Sequence, residues 1–287
     1  MSAYSNAGTV LDRILESRRA EVEHRKRVLP ETALKYGVKA ALPVRDFAGA
    51  LSRDAINIVA ELKPASPSRG VIREPFDAPA LAKGLAAAGA AALSVLTESE
   101  FFGGSLKNLR EARKEVALPA LRKDFIFDPW QVWEARANDA DSFLLIVAAL
   151  GDVPLRDLIA LGRELGMEPL GEVHAHDELE RALAADARII GVNNRDLQTF
   201  RTSLQTSERL IAEAPTDRVM ISESGLQNSK SLRHLHALGF RGFLIGEALM
   251  SAPDPEAALR NFIGGAQENE QRRRQATVAP DTDALQV

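Results

Sequence analysis

The chain alternates eight times between a short aliphatic or β-branched run and a longer segment rich in alanine and leucine. The short runs begin at Ile56, Ala91, Ala117, Ser142, Met167, Arg188, Arg218 and Gly242. Continuous apolar runs of this length are typical of strands buried on both faces, as in a parallel sheet. The longer segments place apolar residues at the helical period, as Leu155, Leu158 and Ile159 do.

Eight strands that alternate with helices predict an α/β fold, a single closed (β/α)₈ or TIM barrel. An open, doubly wound sheet is the alternative, and it usually carries a glycine-rich loop after its first strand. No G-x-G-x-x-G or Walker-type loop follows any of the runs, which favours the barrel. Gly89, Gly166 and Gly239 each follow a helical segment, where left-handed backbone commonly ends a helix.

Two segments lie outside the repeat. We predict a helical extension over residues 1–45 that caps the barrel, the catalytic barrel over 46–264, and a disordered polar tail over 265–287. Residues 9–27 show the pattern of an amphipathic helix. Its apolar members are Val10, Leu11, Ile14 and Val22, and its outward members are Arg18, Arg19 and Lys26. The run Arg272-Arg273-Arg274 in the tail is expected to be solvated.

The composition excludes several classes of function. The 36 basic and 40 acidic side chains give a net charge of −4, which argues against a general nucleic-acid or anionic-membrane surface. The absence of cysteine excludes disulfides, thiolate nucleophiles and cysteine-based metal sites. The charged N-terminal segment does not resemble a signal peptide, and no run is long enough to span a membrane. We expect a cytoplasmic, monomeric protein whose partner is a small molecule.

Charged residues stand at the carboxyl ends of the predicted strands, where barrels of this kind hold their catalytic groups. Glu61 and Lys63 end the first strand, and strand alternation points both side chains the same way. Lys123 and Glu172 end two other strands. Charges in a closed mouth are expensive to desolvate unless they are paired or functional. A structural ion-pair layer would explain one of them, whereas four together predict an acid–base site, with lowered lysine and raised glutamate pKa values.

The ends of the last two strands predict a phosphate site. Ser224-Gly225 and Gly246-Glu247 follow strands seven and eight, where barrel enzymes often bind phosphate through backbone N–H groups. Ser66, in the loop after the first strand, is a candidate hydroxyl donor to the same anion. The alternative is that both glycines are only turn residues.

Two further motifs are less informative. His174 and His176 form an H-x-H pair, but the other histidines lie away from the strand ends, so no metal site is predicted. The segment Phe101-Phe102-Gly103-Gly104 is interpreted either as a lid over an aromatic ligand or as packing at the edge of the core.

Seven motifs, in this order along the chain, resemble those of indole-3-glycerol phosphate synthase from tryptophan biosynthesis. They are IVAELKPASPSRG (58–70), LT with FFGGS (96–105), LRKDF (121–125), GEVH (171–174), GVNNRDL (191–197), SESG (222–225) and LIGE (244–247). The resemblance runs from about Val10 to Ile263. It departs at Pro64, where the family often has a basic residue, and at Glu247, where serine is an alternative.

This resemblance implies a carboxy-lyase that needs no cofactor and no metal. Its substrate would be 1-(2-carboxyphenylamino)-1-deoxyribulose 5-phosphate, and its products indole-3-glycerol phosphate, carbon dioxide and water. Lys123 would be the general acid of ring closure, and Lys63 would hold the carboxylate and assist dehydration. Glu172 would transfer a proton during dehydration, and Glu61 would orient the lysines and stabilise developing positive charge. The division of roles between the two lysines is left open.

The resemblance also implies a set of binding residues. Asn193 and Arg195 would position the glycerol hydroxyls and the carboxylated ring. The aromatic pocket would be lined by Phe101, Phe125 and Leu197. The phosphate would be held by Ser66, Ser224, Gly225, Gly246 and the backbone N–H of Glu247.

Two other functions are alternatives to the synthase, one enzymatic and one not. A second phosphate-binding barrel of the same pathway, an isomerase or an indole-releasing aldolase, is one of them. Such an isomerase would use a Cys/Asp pair, and the chain has no cysteine. The other is an inactive barrel that docks partners through its arginine-rich tail. It would be expected to lack at least one of Glu61, Lys63, Lys123 and Glu172, and all four are present.

Overall fold

The computed structural model describes residues 9–196 and 201–264. Within them, eight parallel strands close into a barrel. They are β1 (Asn57–Leu62), β2 (Ala92–Leu96), β3 (Ala120–Lys123), β4 (Ser142–Ile146), β5 (Leu170–Val173), β6 (Ile189–Asn193), β7 (Val219–Glu223) and β8 (Gly242–Ile245). β8 closes the barrel against β1, with Gly242 opposite Asn57. Every strand lies within a predicted run, so the TIM-barrel prediction is confirmed.

Helices precede the barrel and connect its strands. They are α1 (Val10–Val28), α2 (Glu31–Ala40), α3 (Phe47–Leu51), α4 (Ala78–Ala87), α5 (Leu106–Glu115), α6 (Pro129–Ala137), α7 (Asp152–Glu164), α8 (His176–Ala184), α9 (Gln205–Ile211), α10 (Ser229–Leu238) and α11 (Glu247–Met250). Residues 255–264 are also helical. In the loop after β1, Ala65–Ser66 pairs in antiparallel fashion with Gly70–Val71. No helix of the described residues is sufficiently long and apolar to cross a bilayer.

Local sequence signals set the helix ends. Thr9 starts α1 through a capping box with Asp12, and Asp128 starts α6 in the same way with Gln131. At the other end, Gly89, Gly166 and Gly239 follow helices with φ of 101°, 81° and 123°. These positive values confirm the predicted left-handed helix ends.

The core has two layers, because alternate strand residues face the helices and the lumen. Ile58 and Ala60 of β1 pack outward against the helices. Val59, between them, packs inside the barrel, where Phe47 and Leu51 of α3 close the floor. Five-residue α3 is too short to give a helical period in the sequence, so it was not predicted as a separate element.

The helix predicted over residues 9–27 is present as α1, and it lies beside the mouth of the barrel. Its first turns contribute Val10, Leu11 and Ile14 to the wall of the mouth. The outward position predicted for Arg18 is wrong, because this side chain is 1% exposed and donates to the Oδ2 atom of Asp124 at 2.7 Å. The reason is that a buried carboxylate requires a cation, and helical periodicity alone does not reveal such a partner.

Candidate active site

A cavity of about 400 Å³ opens at the carboxyl ends of the strands. This volume suits a small molecule. The four charged residues predicted for the mouth, Glu61, Lys63, Lys123 and Glu172, all line it. Below the mouth the lumen is mainly apolar, with Val59 two residues before Glu61 on the same strand face. The barrel therefore presents a charged layer on an apolar floor.

Two lysines of this layer are held by carboxylates. Lys123 Nζ lies 2.6 Å from Glu172 Oε2 and 3.0 Å from Glu223 Oε2. Lys63 Nζ lies 3.0 Å from Glu61 Oε1. The lysine side chains are only 12% and 16% exposed, so these are mostly desolvated ion pairs aimed into the cavity.

Glycine residues make room for two of the carboxylates. A Cβ at Gly246 would lie 2.2 Å from Glu61 Oε1, and a Cβ at Gly191 would lie 2.1 Å from Glu223 Oε1. Both separations are far below van der Waals contact. Gly246, predicted as a phosphate-binding residue, therefore also sets the position of Glu61.

The carboxylates around Lys123 set the direction of its pKa shift. Burial lowers the pKa of Lys123, but attraction from Glu172 and Glu223 outweighs it, so the pKa lies above the ordinary lysine value. The predicted lowering of a lysine pKa is thus wrong for Lys123, because the sequence does not give the number of carboxylates around it. Lys123 keeps its proton at neutral pH, the form that a general acid needs.

The two carboxylates beside Lys123 shift in opposite directions. Burial opposes ionisation of Glu172, yet Lys123 and His174 lower its pKa to about 2. Burial raises the pKa of Glu223 to about 7, because Lys123 compensates only in part and the charge of Glu172 adds repulsion. Near neutral pH Glu172 is therefore ionised, whereas Glu223 is partly protonated.

Glu223 is a site residue that the sequence reasoning missed. Ile221, two residues earlier on β7, packs in the lumen, and Glu223 follows it on the same face. This alternation is the same signal that identified Glu61 and Lys63 on β1. Applied to β7, it would have pointed to Glu223.

The aromatic side of the cavity is lined by Phe102 and Phe125, whose ring centroids are 5.9 Å apart. Phe101, the predicted lining residue, is not among the lining residues, and its neighbour Phe102 takes that place. The cause is the buried Glu98 carboxylate, whose Oε2 atom accepts the N–H groups of Phe101 and Phe102 at 2.8 and 3.0 Å. These bonds turn the loop so that the second phenylalanine faces inward.

The predicted phosphate-binding residues lie together along the same cavity. They are Ser66, Ser224, Gly225, Gly246 and Glu247. Ser224 and Gly225 have positive φ values of 64° and 72°. The Glu247 carboxylate pairs with Arg69 at 3.0 Å and with Arg195 at 3.4 Å. Arg69 was not predicted, and these two arginines place positive charge at this end of the cavity.

Asn193 and Arg195 also line the cavity, as predicted. Asn193 interacts with the Glu172 carboxyl and helps to lower its pKa. Its Oδ1 atom accepts the backbone N–H of Arg195 at 3.0 Å, which joins the two residues. Leu197, the remaining predicted pocket residue, and the run Arg272-Arg273-Arg274 lie outside the described residues.

Asp124, the residue after Lys123, connects the end of β3 to helix α1 through Arg18. Its buried carboxylate accepts from Arg122 at 2.9 Å, from Arg18 at 2.7 Å and from Thr97 Oγ1 at 2.5 Å. Burial raises the pKa of Asp124, but the two guanidinium groups outweigh it and hold the pKa below its ordinary value. Lys123, the last residue of β3, therefore lies on a strand that a buried ionic network fixes to α1.

The two histidines of the H-x-H pair point to different partners. His174 lies between Glu172 and Glu178, whereas His176 is exposed and pairs with Glu213 and Glu180. No cluster of three or more His, Asp or Glu side chains suited to a metal ion occurs in the described ranges.

Comparison with known proteins identifies relatives across most of the chain. A family model described as indole-3-glycerol phosphate synthase matches residues 11–262. The synthase of that name from Roseiflexus sp. (strain RS-1) is 48% identical over 267 residues, which is 90% of this chain and 99% of the relative. The one from Rhodospirillum rubrum is 45% identical over 260 residues, covering 89% and 99%.

Similar solved structures share the fold at low sequence identity. The 3-hexulose-6-phosphate synthase of Salmonella typhimurium matches with a TM-score of 0.60 and 13% identity, over 74% of this chain and 99% of that one. KGPDC from Streptococcus mutans matches with a TM-score of 0.58 and 14% identity, over 76% and 98%. These likenesses concern the barrel architecture alone.

Proposed function

The chain belongs to the indole-3-glycerol phosphate synthase family, and from this premise we infer that the mouth of its barrel binds and converts 1-(2-carboxyphenylamino)-1-deoxyribulose 5-phosphate. The family reaction closes the indole ring, releases carbon dioxide and water, and belongs to tryptophan biosynthesis. The observation that carries the assignment of roles is the ammonium group of Lys123, held 2.6 and 3.0 Å from two carboxylates in the cavity.

Ring closure needs an acid at the substrate ketone. The ring carbon that bears the carboxyl group attacks the ketone carbon, and negative charge develops on the ketone oxygen. Lys123 is proposed to donate a proton to this oxygen, since its pKa lies above the ordinary value and it is therefore charged at neutral pH. The carboxylates of Glu172 and Glu223 fix the direction in which its N–H groups point.

Decarboxylation and dehydration follow ring closure. Lys63, paired with Glu61 at 3.0 Å, is proposed to hold the substrate carboxylate until carbon dioxide leaves and the ring regains its aromatic character. The new hydroxyl group then accepts a second proton, proposed to come from Lys123 once it has been reprotonated, and departs as water. The neighbouring methylene carbon loses a proton in the same step. Glu172 is proposed to take that proton, because its low pKa leaves it ionised. Glu223, with a pKa of about 7, is a second proton-transfer group beside Lys123.

Binding of the substrate is proposed to use both ends of the cavity. Phe102 and Phe125 would contact the anthranilate ring, with Phe102 replacing the predicted Phe101. The phosphate would lie against Ser66, Ser224, Gly225, Gly246 and the N–H of Glu247. Arg195 and Arg69 supply positive charge there, and they would move from the Glu247 carboxylate toward the phosphate.

The oligomeric state and the location of the protein are also proposals. A monomer is supported by the charged layer, since Glu61, Lys63, Lys123, Glu172 and Glu223 of one chain pair with one another without a second copy. Light scattering at working concentration tests this proposal. A cytoplasmic location is supported by the biosynthetic role of the family, and cell fractionation tests it.

The test of the proposed function is a continuous indole-fluorescence assay with the named substrate, run in metal-free buffer with a chelator. The wild-type chain should turn over. Lys123→Met should lower kcat by about a hundredfold or more while KM changes by less than about threefold. Lys107→Met, which removes a lysine that is 78% exposed on α5, is the matched control and should keep the wild-type kcat.

Each result has a distinct meaning. Tight substrate binding without wild-type turnover would indicate an inactive barrel. A wild-type kcat in Lys123→Met would remove Lys123 from the acid role and leave the assignment of the reaction intact.

A further inference from the structure

The reaction consumes one proton per turnover. The ketone oxygen gains two protons and leaves as water, whereas the methylene carbon gives up only one. The substrate carboxylate leaves as carbon dioxide, with its electron pair retained by the ring. One proton must therefore reach the site from solvent in each cycle. In the proposed function Lys123 gives one proton to the ketone oxygen and a second to the departing hydroxyl, so the proton from solvent must reach Lys123 between these steps, while the intermediate occupies the mouth of the cavity.

His174 stands between the charged layer and the protein surface. Its Nε2 atom lies 3.5 Å from Glu172 Oε1, and its Nδ1 atom lies 3.1 Å from Glu178 Oε2. Glu172 lines the cavity, while His174 is not among the lining residues. Glu178, on α8, is 15% exposed and reaches solvent. The imidazole thus bridges a carboxylate that faces the substrate and a carboxylate that faces water.

The orientation and the charged neighbours of the imidazole also suit it to carry a proton. Its Nε2 atom is buried and has no hydrogen-bond partner among the described residues, although it points toward Glu172. Burial lowers the pKa of His174, but Glu178 and Glu172 outweigh this effect and hold it above its ordinary value, with a smaller contribution from Glu223. The charged groups that face it are these three glutamates, with Lys123 on the far side of Glu172.

We propose that His174 and Glu178 form the route by which solvent returns one proton per turnover to the Glu172–Lys123 pair. This inference rests on the proposed function. Glu178 takes a proton from water and passes it to Nδ1 of His174. The Nε2–H of the resulting imidazolium passes to Glu172, which reloads the amine of Lys123 across their 2.6 Å contact. His174 returns to its neutral form, and Lys123, having regained the proton that it gave to the ketone oxygen, can protonate the departing hydroxyl. The methylene proton that Glu172 takes in that step then reloads Lys123 for the next cycle.

Two conservative variants test the route through kcat and its pH dependence. His174→Asn removes the relay group. Glu178→Gln keeps an oxygen that accepts the backbone N–H of His174, a bond of 2.7 Å, but it no longer carries a proton. Each should lower kcat about tenfold at about pH 8.5, where solvent protons are scarce, and less at about pH 6, with KM within about twofold. Added imidazole should restore part of the rate of His174→Asn.

Controls separate a relay from a structural role. His176→Asn alters the other member of the H-x-H pair, which is 58% exposed, and Glu180→Gln alters an exposed carboxylate on α8. Both should keep the wild-type pH profile. The relay is overturned if His174→Asn and Glu178→Gln match wild type, or if they lose activity equally at every pH without imidazole rescue. Absence of wild-type turnover would instead refute the proposed function, and the relay with it.

Discussion

Replacing Arg18 by methionine should destabilise the barrel and loosen the wall of its mouth. Arg18 is 1% exposed and donates to Asp124 at 2.7 Å, while the Asp124 side chain is fully buried. Breaking a buried ion pair by removing one partner costs about 3–5 kcal/mol. Asp124 keeps Arg122 at 2.9 Å and Thr97 Oγ1 at 2.5 Å, so the lower end of that range applies.

A loss of about 3 kcal/mol in a chain of this size corresponds to a fall in Tm of about 6–12 °C. Differential scanning calorimetry at neutral pH measures it. The difference from wild type should shrink as the pH falls, because the lowered pKa of Asp124 stabilises the protein only while that carboxylate is ionised. Arg13→Met, at an exposed position of the same helix, is the control and should change Tm by less than about 2 °C.

The same variant should also raise KM, because Val10, Leu11 and Ile14 of α1 line the cavity. A Tm for Arg18→Met equal to that of Arg13→Met would refute the reasoning. It would mean that Asp124 is satisfied by Arg122 alone and that the extension is not fixed through this pair.

Three further outcomes are expected. Gly246→Ala should lower kcat by on the order of a hundredfold, since the new Cβ would lie 2.2 Å from Glu61 Oε1 and must displace it; steady-state kinetics with unchanged circular dichroism would test this. Glu247→Gln should lower the inhibition constant of inorganic phosphate about fivefold by freeing Arg195, and an unchanged constant would place the phosphate elsewhere. Glu223→Gln should flatten the pH dependence of Tm. In the wild type, stability is expected to fall as the pH rises from the ordinary glutamate pKa of 4.5 to about 7, because the folded protein holds a proton that the unfolded chain releases. Equal slopes of Tm against pH in both proteins would contradict the raised pKa.

The barrel was predictable because its signal is local and repeated. Each buried strand is a continuous apolar run, and each helix carries its own period. Their positions at predicted strand ends also indicated that Glu61, Lys63, Lys123 and Glu172 lie at the mouth, and all four line the cavity. Strand alternation on β7 indicates Glu223 in the same way, although Glu223 was not among the predicted site residues.

The errors concern contacts between segments distant in the chain. Arg18 was expected on the solvent-facing side of the helix because helical periodicity treats every arginine as a surface residue. It is buried because it donates to Asp124, 106 residues later in the chain. Phe102 faces the cavity in place of Phe101 because Glu98 fixes the backbone of the loop. The pKa of Lys123 depends on how many carboxylates meet around it, and only the closed barrel determines that number.

The central claim is that Lys123 delivers the proton of ring closure. A single-turnover rapid-quench experiment tests it most directly, with substrate labelled in its carboxyl carbon and enzyme in excess. Labelled carbon dioxide is released only after the ring carbon has bonded to the ketone carbon. Wild type should release one equivalent per bound substrate, while Lys123→Met, binding the substrate with nearly unchanged affinity, should release none on that timescale. Release by Lys123→Met at the wild-type rate would contradict the account.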